Sequence, residues 1–151
     1  MVQESLRFQP PVGGATFLNT IKDTTVKGVT FKKGDKMSLW ISAVHRNSSQ
    51  WQRPNEFLPD RFDPDSELFT TPDGHKRNTF SYFPFNGGMR ICLGKTLAEI
   101  NIRTVVIYVT QLFDFDYVNE IQNPENDDYP NFSVMNSKII PLPVKLVKRK
   151  I

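Results

Sequence analysis

The sequence predicts an α+β chain: a short helix at the start, small strands in the first third, an irregular middle and one long helix near residue 100. Three observations carry that prediction. Residues 15–42 hold β-branched and aromatic runs separated by turn residues. Residues 45–83 hold Pro54, Pro59, Pro64 and Pro72 with charges throughout, which suits neither helix nor strand. In residues 95–113, Ala98, Ile102, Val105, Val109 and Leu112 recur at alternating steps of four and three, one apolar stripe on a helix.

Taken in order, Val2–Phe8 reads as the tail of an amphipathic helix that Pro10-Pro11 ends. So short a helix without an N-cap is marginal alone, and the expectation is that the sequence begins inside a larger protein. Ala15–Ile21 and Thr25–Phe31 read as strands, with Lys33-Gly34-Asp35 as a turn. Residues 36–43 place Met37, Leu39 and Ile41 on one face of a half-buried strand. The meander 45–83 is longer than unstructured loops usually are in a compact domain, and such loops tend to be functional. Thr104–Val109 is β-branched, so a strand competes with the helix over 95–113, and length favours the helix. Residues 114–150 read as short strands around an acidic loop with Glu125, Asp127 and Asp128. Leu142, Val144 and Leu146 precede the closing Lys148-Arg149-Lys150.

Composition narrows the function classes. The 151 residues form a single unit, 1–151, with 38% hydrophobic and 23% charged residues, a soluble globular balance. A formal net charge of +3 gives no support to nucleic-acid binding. One cysteine, Cys92, excludes an internal disulfide and a Cys₄ or Cys₂His₂ zinc site. No run approaches the ~20 apolar residues of a membrane span, and the first residues lack the layout of a signal peptide. Two glycosylation sequons, at Asn47 and Asn131, are read as chance matches.

The stretch richest in chemistry is Phe83–Gly94, which gathers Asn86, Gly87, Gly88, Arg90, Cys92 and Gly94. Asn-Gly-Gly suits a tight turn with positive φ. Cys92 stands just before the long helix, where the positive end of the helix dipole favours an anionic sulfur, with Arg90 two residues away. The bland alternative is an inert, buried cysteine in a turn. The thin backbone, the cation and the helix start favour a site approached by something flat. His45 and His75 fit no hydrolytic triad and read as loop residues.

Phe85-x-x-Gly88-x-Arg90-x-Cys92-x-Gly94 resembles the haem-binding signature of the cytochrome P450 family. Glu4-Ser5-Leu6-Arg7 resembles that family's E-x-x-R helix motif. Phe57–Phe62 (FLPDRF) resembles its F-x-P-E-R-F segment, with Asp60 for Glu. His45-Arg46-Asn47, followed by Trp51, is similar to the preceding H-R-D…W segment, with Asn for Asp. The likeness covers nearly the whole chain but only the C-terminal third or so of a family member. It implies the C-terminal part of a mostly helical fold.

The resemblance also implies roles. Cys92 would be the axial thiolate of haem b iron, pushing electron density onto the metal. Arg90 would pair with a propionate. Phe85 would shield the sulfur, and Gly88 and Gly94 would let backbone N–H groups approach it. Glu4, Arg7 and Arg61 would form a buried structural network. The implied activity is a monooxygenase acting on a small organic substrate with electrons from a reductase, for which Lys95 and Arg103 are the docking candidates. In a eukaryotic parent the expected location is the cytosolic face of the endoplasmic reticulum, held there only by an upstream anchor. The family's A/G-G-x-D/E-T oxygen-activating pattern does not occur here, so no catalytic residue is expected in this chain. The stretch Gly13–Phe17 also lacks the basic residue that many members place there. The alternative reading is an inactive remnant, with or without haem.

Overall fold

The computed structural model describes residues 1–117 and 144–149. Its elements are α1 (Val2–Phe8), β1 (Ala15–Asn19), β2 (Thr24–Val26), β3 (Val29–Phe31), β4 (Lys36–Trp40), α2 (Ile41–Val44), α3 (Lys95–Leu112), β5 (Phe113–Tyr117) and β6 (Val144–Lys148). Between α2 and α3 the described backbone makes only short 3₁₀ turns, at Pro59–Phe62, Glu67–Phe69, Thr79–Ser81 and Gly88–Arg90. The expected order of helix, strands, meander and long helix is therefore present.

The strands form two-stranded antiparallel ribbons. β1 pairs with β4 from Ala15 opposite Trp40 to Asn19 opposite Lys36. β2 and β3 form a hairpin, Thr24 opposite Phe31 and Val26 opposite Val29. Its two-residue turn places Lys27 at φ 46° and Gly28 at φ 82°, the left-handed pair that matches the twist of a hairpin. One run expected as a strand over Thr25–Phe31 is thus two strands folded about Lys27-Gly28. β5 and β6 pair from Phe113 opposite Lys148 to Tyr117 opposite Val144. The acidic loop of residues 125–128 and Leu142 lie outside the described residues.

Three boundaries differ from the sequence expectation, the first being β1, which ends at Asn19 rather than at Ile21. The strand expected to run to residue 43 stops at Trp40, and Ile41–Val44 turns helical. Ser42 stands at the switch. Its N–H and its Oγ both donate to the Gly13 carbonyl, at 3.2 and 2.9 Å, which anchors the chain just beyond the last β1 pair. Ile41 then enters the interior while Leu39 stays exposed. The long helix stops at Leu112, one residue short of expectation, because Phe113 joins the alternating Phe-Asp-Phe-Asp-Tyr strand. Arg149 N–H donates to the Leu112 carbonyl at 2.8 Å and closes that end.

The interior is unusually polar. Leu6, Ile41 and Trp51 are the hydrophobic side chains of its buried core among the described residues, beside Glu4, Arg7, His45 and Arg61. Trp51, Phe62 and Tyr82 form an aromatic cluster with centroids 5.0–6.3 Å apart. The Arg77 guanidinium lies 4.4 Å from the Trp51 ring centroid and also approaches Phe62 and Phe69. Arg7 of α1 donates to the Pro54 and Glu56 carbonyls, which ties the meander to α1. By contrast α3 buries no residue fully. Of its stripe, Ala98, Ile102, Val109 and Leu112 are half-buried and Val105 is exposed. Leu97, Ile100, Ile107 and Tyr108, off the stripe, are exposed by more than half.

Candidate functional site

Glu4 and Arg7 face each other one helical turn apart, as their i, i+3 spacing requires. Arg7 donates Nε to Glu4 Oε2 at 2.7 Å and Nη2 to Oε1 at 2.8 Å. Its remaining donors go to the carbonyls of His45 and Pro54, both at 2.9 Å, and of Glu56 at 3.0 Å. All five N–H groups of the guanidinium are thus used. Arg61, from the 3₁₀ turn at Pro59–Phe62, donates Nε to Glu4 Oε1 at 3.1 Å. Its Nη groups donate to the carbonyls of Gln52, Arg53 and Glu56. Leu58 N–H adds a bond to Glu4 Oε1 at 2.8 Å. One carboxylate thus serves two guanidinium groups, and the second positive charge rests on backbone carbonyls of the meander. Burial, and then the charge of Arg7, holds the Arg61 guanidinium below its ordinary pKa.

Sequence reasoning missed His45. It caps the end of α2 and is fully buried. Its Nε2 accepts from Phe83 N–H at 3.0 Å. Its ring stacks on Tyr82, centroids 5.3 Å apart, and stands edge-on to Phe83 at 5.6 Å. Burial pulls its pKa down to about 4, so the imidazole is neutral at physiological pH. With Nε2 accepting, the proton sits on Nδ1. Trp51 Nε1 also reaches this segment, donating to the Ser81 carbonyl at 3.3 Å. His75 is exposed, as a loop residue should be.

From Phe83 the chain enters the cysteine loop. Asn86 N–H donates to the Phe83 carbonyl at 3.0 Å and turns the chain, with Asn86 at φ 61° and Gly88 at φ 67°. Gly87, expected to share the positive φ, is extended at −151°. It has a different use: a Cβ there would stand 3.4 Å from the Phe80 ring. Cys92 N–H donates to the Phe85 carbonyl at 2.9 Å, which closes the loop, and Lys95 N–H donates to the Cys92 carbonyl at 3.2 Å where α3 begins. A Cβ on Gly94 would lie 3.8 Å from Cys92 Sγ. Phe85, Gly88, Arg90, Cys92 and Gly94 are therefore one loop, while Glu4, Arg7 and Arg61 form a separate buried cluster behind it.

Cys92 is exposed. Its neighbours Met89, Ile91 and Leu93 are exposed apolar side chains, and Arg90 is exposed too. A sulfur donor open at the surface, amid uncovered apolar groups and a guanidinium, fits a large apolar ligand that bears a metal and carboxylates. Among the described residues no cluster of His, Cys, Asp and Glu could hold a metal ion by itself.

The family model for cytochrome P450 matches residues 1–143. The chain belongs to the cytochrome P450 family. A putative cytochrome P450 120 of Synechocystis sp. is 36% identical over 115 residues, covering 76% of this chain and 24% of that protein. The steroid 17-alpha-hydroxylase/17,20 lyase of Felis catus is 29% identical over 150 residues, covering 99% of this chain and 28% of that protein. Among solved structures, the retinoic acid bound cyanobacterial CYP120A1 superposes with a TM-score of 0.78 at 31% identity, over 98% of this chain and 31% of that one. The chain spans about a quarter of the length of the curated cytochrome P450 relatives it matches.

Two features of this chain escaped sequence reasoning for the same cause. His45 and Arg77 act through backbone atoms and ring faces, which leave no spacing signal. The cue within reach was the closeness of His45 to Trp51 in a stretch already likened to the family.

Proposed function

We propose that the chain supplies the haem-thiolate region of a monooxygenase that inserts one atom of O₂ into an organic substrate, using electrons from a reductase. The exposed Cys92 thiol on its glycine-rich loop carries this reading. Haem, when bound, supplies the oxygen-activating chemistry. Cys92 would hold its iron and Arg90 would pair with a carboxylate on its edge. The loop's own task is to present the sulfur. The Phe85 carbonyl takes the Cys92 N–H, and the positive φ of Asn86 and Gly88 turns the chain between them. Phe85 is half-buried beside the thiol's backbone and would limit water at the sulfur. Glu4, Arg7 and Arg61 touch no reacting atom in this scheme and act as the frame of the meander.

Lys95 and Arg103, at the start and the middle of α3, would meet an acidic face of the electron donor. No helix among the described residues is long and apolar enough to cross a membrane. Oxygen transfer tests the reading. The full-length product, loaded with haem and supplied with a reductase and labelled O₂, should place one labelled atom in an organic substrate. Haem loading without any such transfer over a broad substrate panel would contradict it.

The exposure of Leu97, Ile100, Ile107 and Tyr108 favours a second reading for residues 1–151 by themselves. Uncovered on α3, they make the chain alone a poor haem holder and an inactive one. Turnover by residues 1–151 alone would overturn this.

A further inference from the structure

We infer that His45 is the positioning residue of the cysteine loop: it fixes the Phe83 peptide to the buried Glu4–Arg7–Arg61 cluster, and so sets where Cys92 is presented. The inference rests on the haem-thiolate reading above and adds a residue to it.

Three contacts carry the argument. The His45 carbonyl accepts from Arg7 Nη1 at 2.9 Å, and its own N–H donates to the Ile41 carbonyl at 2.9 Å. Its backbone is thereby tied to both α1 and α2. Its side chain then reaches 38 residues along the chain to take the Phe83 N–H on Nε2 at 3.0 Å. Phe83 is where the loop begins, since its carbonyl accepts the Asn86 N–H and the Phe85 carbonyl accepts the Cys92 N–H. A shift of the Phe83 peptide therefore passes through two successive hydrogen bonds to the ligand residue.

The histidine is suited to this task in a way a hydrophobic residue is not. The Phe83 N–H is partly buried, and a buried donor left without an acceptor is costly. Stacking on Tyr82 and edge contact with Phe83 hold the ring in the plane that aims Nε2. Burial keeps the imidazole neutral at physiological pH, so the Nε2 lone pair stays available. The sequence hides the role because 38 residues of meander separate the two partners.

The test compares His45→Gln with His45→Leu in the full-length holoprotein. Glutamine keeps an acceptor of similar reach, whereas leucine keeps the bulk and loses the acceptor. The readouts are haem release to an excess of apomyoglobin, the fraction of the reduced CO complex with the red-shifted thiolate Soret band, and hydrogen exchange at the Phe83 amide. Leucine should release haem about tenfold faster, one lost hydrogen bond's worth, with a smaller thiolate fraction and a deprotected Phe83 amide. Glutamine should stay within about threefold of wild type. Equal behaviour of leucine and wild type, or glutamine no better than leucine, would overturn the inference. If leucine fails to fold, exchange in the wild type decides: protection of the Phe83 amide supports the inference and free exchange overturns it. A wild type without any thiolate band would instead sink the haem-thiolate reading itself, and Phe83 protection would still report on His45.

Discussion

Arg7 and Glu4 meet in a two-point pair, Nε to Oε2 at 2.7 Å and Nη2 to Oε1 at 2.8 Å, with neither side chain exposed to solvent. Removing one member leaves the other charges buried without a partner, at a cost of about 3–5 kcal/mol. Glu4→Gln and Arg7→Ala should therefore yield protein that fails to retain haem. Arg7→Lys should do little better, because a lysine cannot supply the Nε and Nη fork that also serves three backbone carbonyls. Haem content after purification measures this. Variants that hold haem normally and lose only turnover would assign the network a chemical role.

The burial of His45 gives stability a pH dependence. Its folded pKa of about 4 lies below the ordinary 6.5, so the folded state resists protonation that the unfolded chain accepts. The His45 contribution is complete above pH 6.5 and is lost as pH falls from there to about 4. At pH 4 the loss is at most about 3 kcal/mol. Denaturation of the full-length product across this window should show a slope that His45→Gln flattens. The same slope in both proteins would contradict the buried, neutral imidazole.

The two signature glycines should respond differently to alanine. Gly88 sits at φ 67° with open space around its would-be Cβ, so its penalty is backbone strain of about 1–2 kcal/mol. Gly94 sits at φ −80°, and its would-be Cβ meets only Cys92 Sγ at the ordinary contact distance of 3.8 Å. Thermal unfolding of the haem-free protein should rank Gly88→Ala well below Gly94→Ala. The reverse order would show that space at the sulfur, not backbone conformation, governs the loop.

Legibility in the sequence followed the range of each signal. α3 and the turn at Asn86 were readable because periodicity and Asn-Gly act within a few residues. The end of strand β4 was not, and the Ser42 bonds to Gly13 found there join residues 29 apart. The Glu4–Arg7 pair follows from spacing, and Arg61 entered only through a family likeness. The carbonyls of His45, Gln52, Arg53, Pro54 and Glu56, which take up much of the donor capacity, carry no side-chain signature at all. Hence the cysteine loop stood out in the sequence as a candidate site, whereas the contact from His45 to Phe83 did not.

The exposed face of α3 yields a solubility prediction. Residues 1–151 expressed alone should aggregate and unfold without cooperativity, since Leu97, Ile100, Ile107 and Tyr108 are open to water. Leu97→Lys with Ile107→Lys should raise the soluble fraction of that isolated chain severalfold. Size-exclusion profiles and thermal scans check both statements. A monomer of the unaltered chain that melts cooperatively would refute them.

The central claim is that Cys92 presents a thiolate to haem iron, and the CO complex of the reduced, haem-loaded full-length product reads it most directly. The wild type should show a Soret band far to the red of a histidine-ligated haem, and Cys92→Ser should lose that band. A Cys92→Ser protein that kept the red-shifted band would contradict the account.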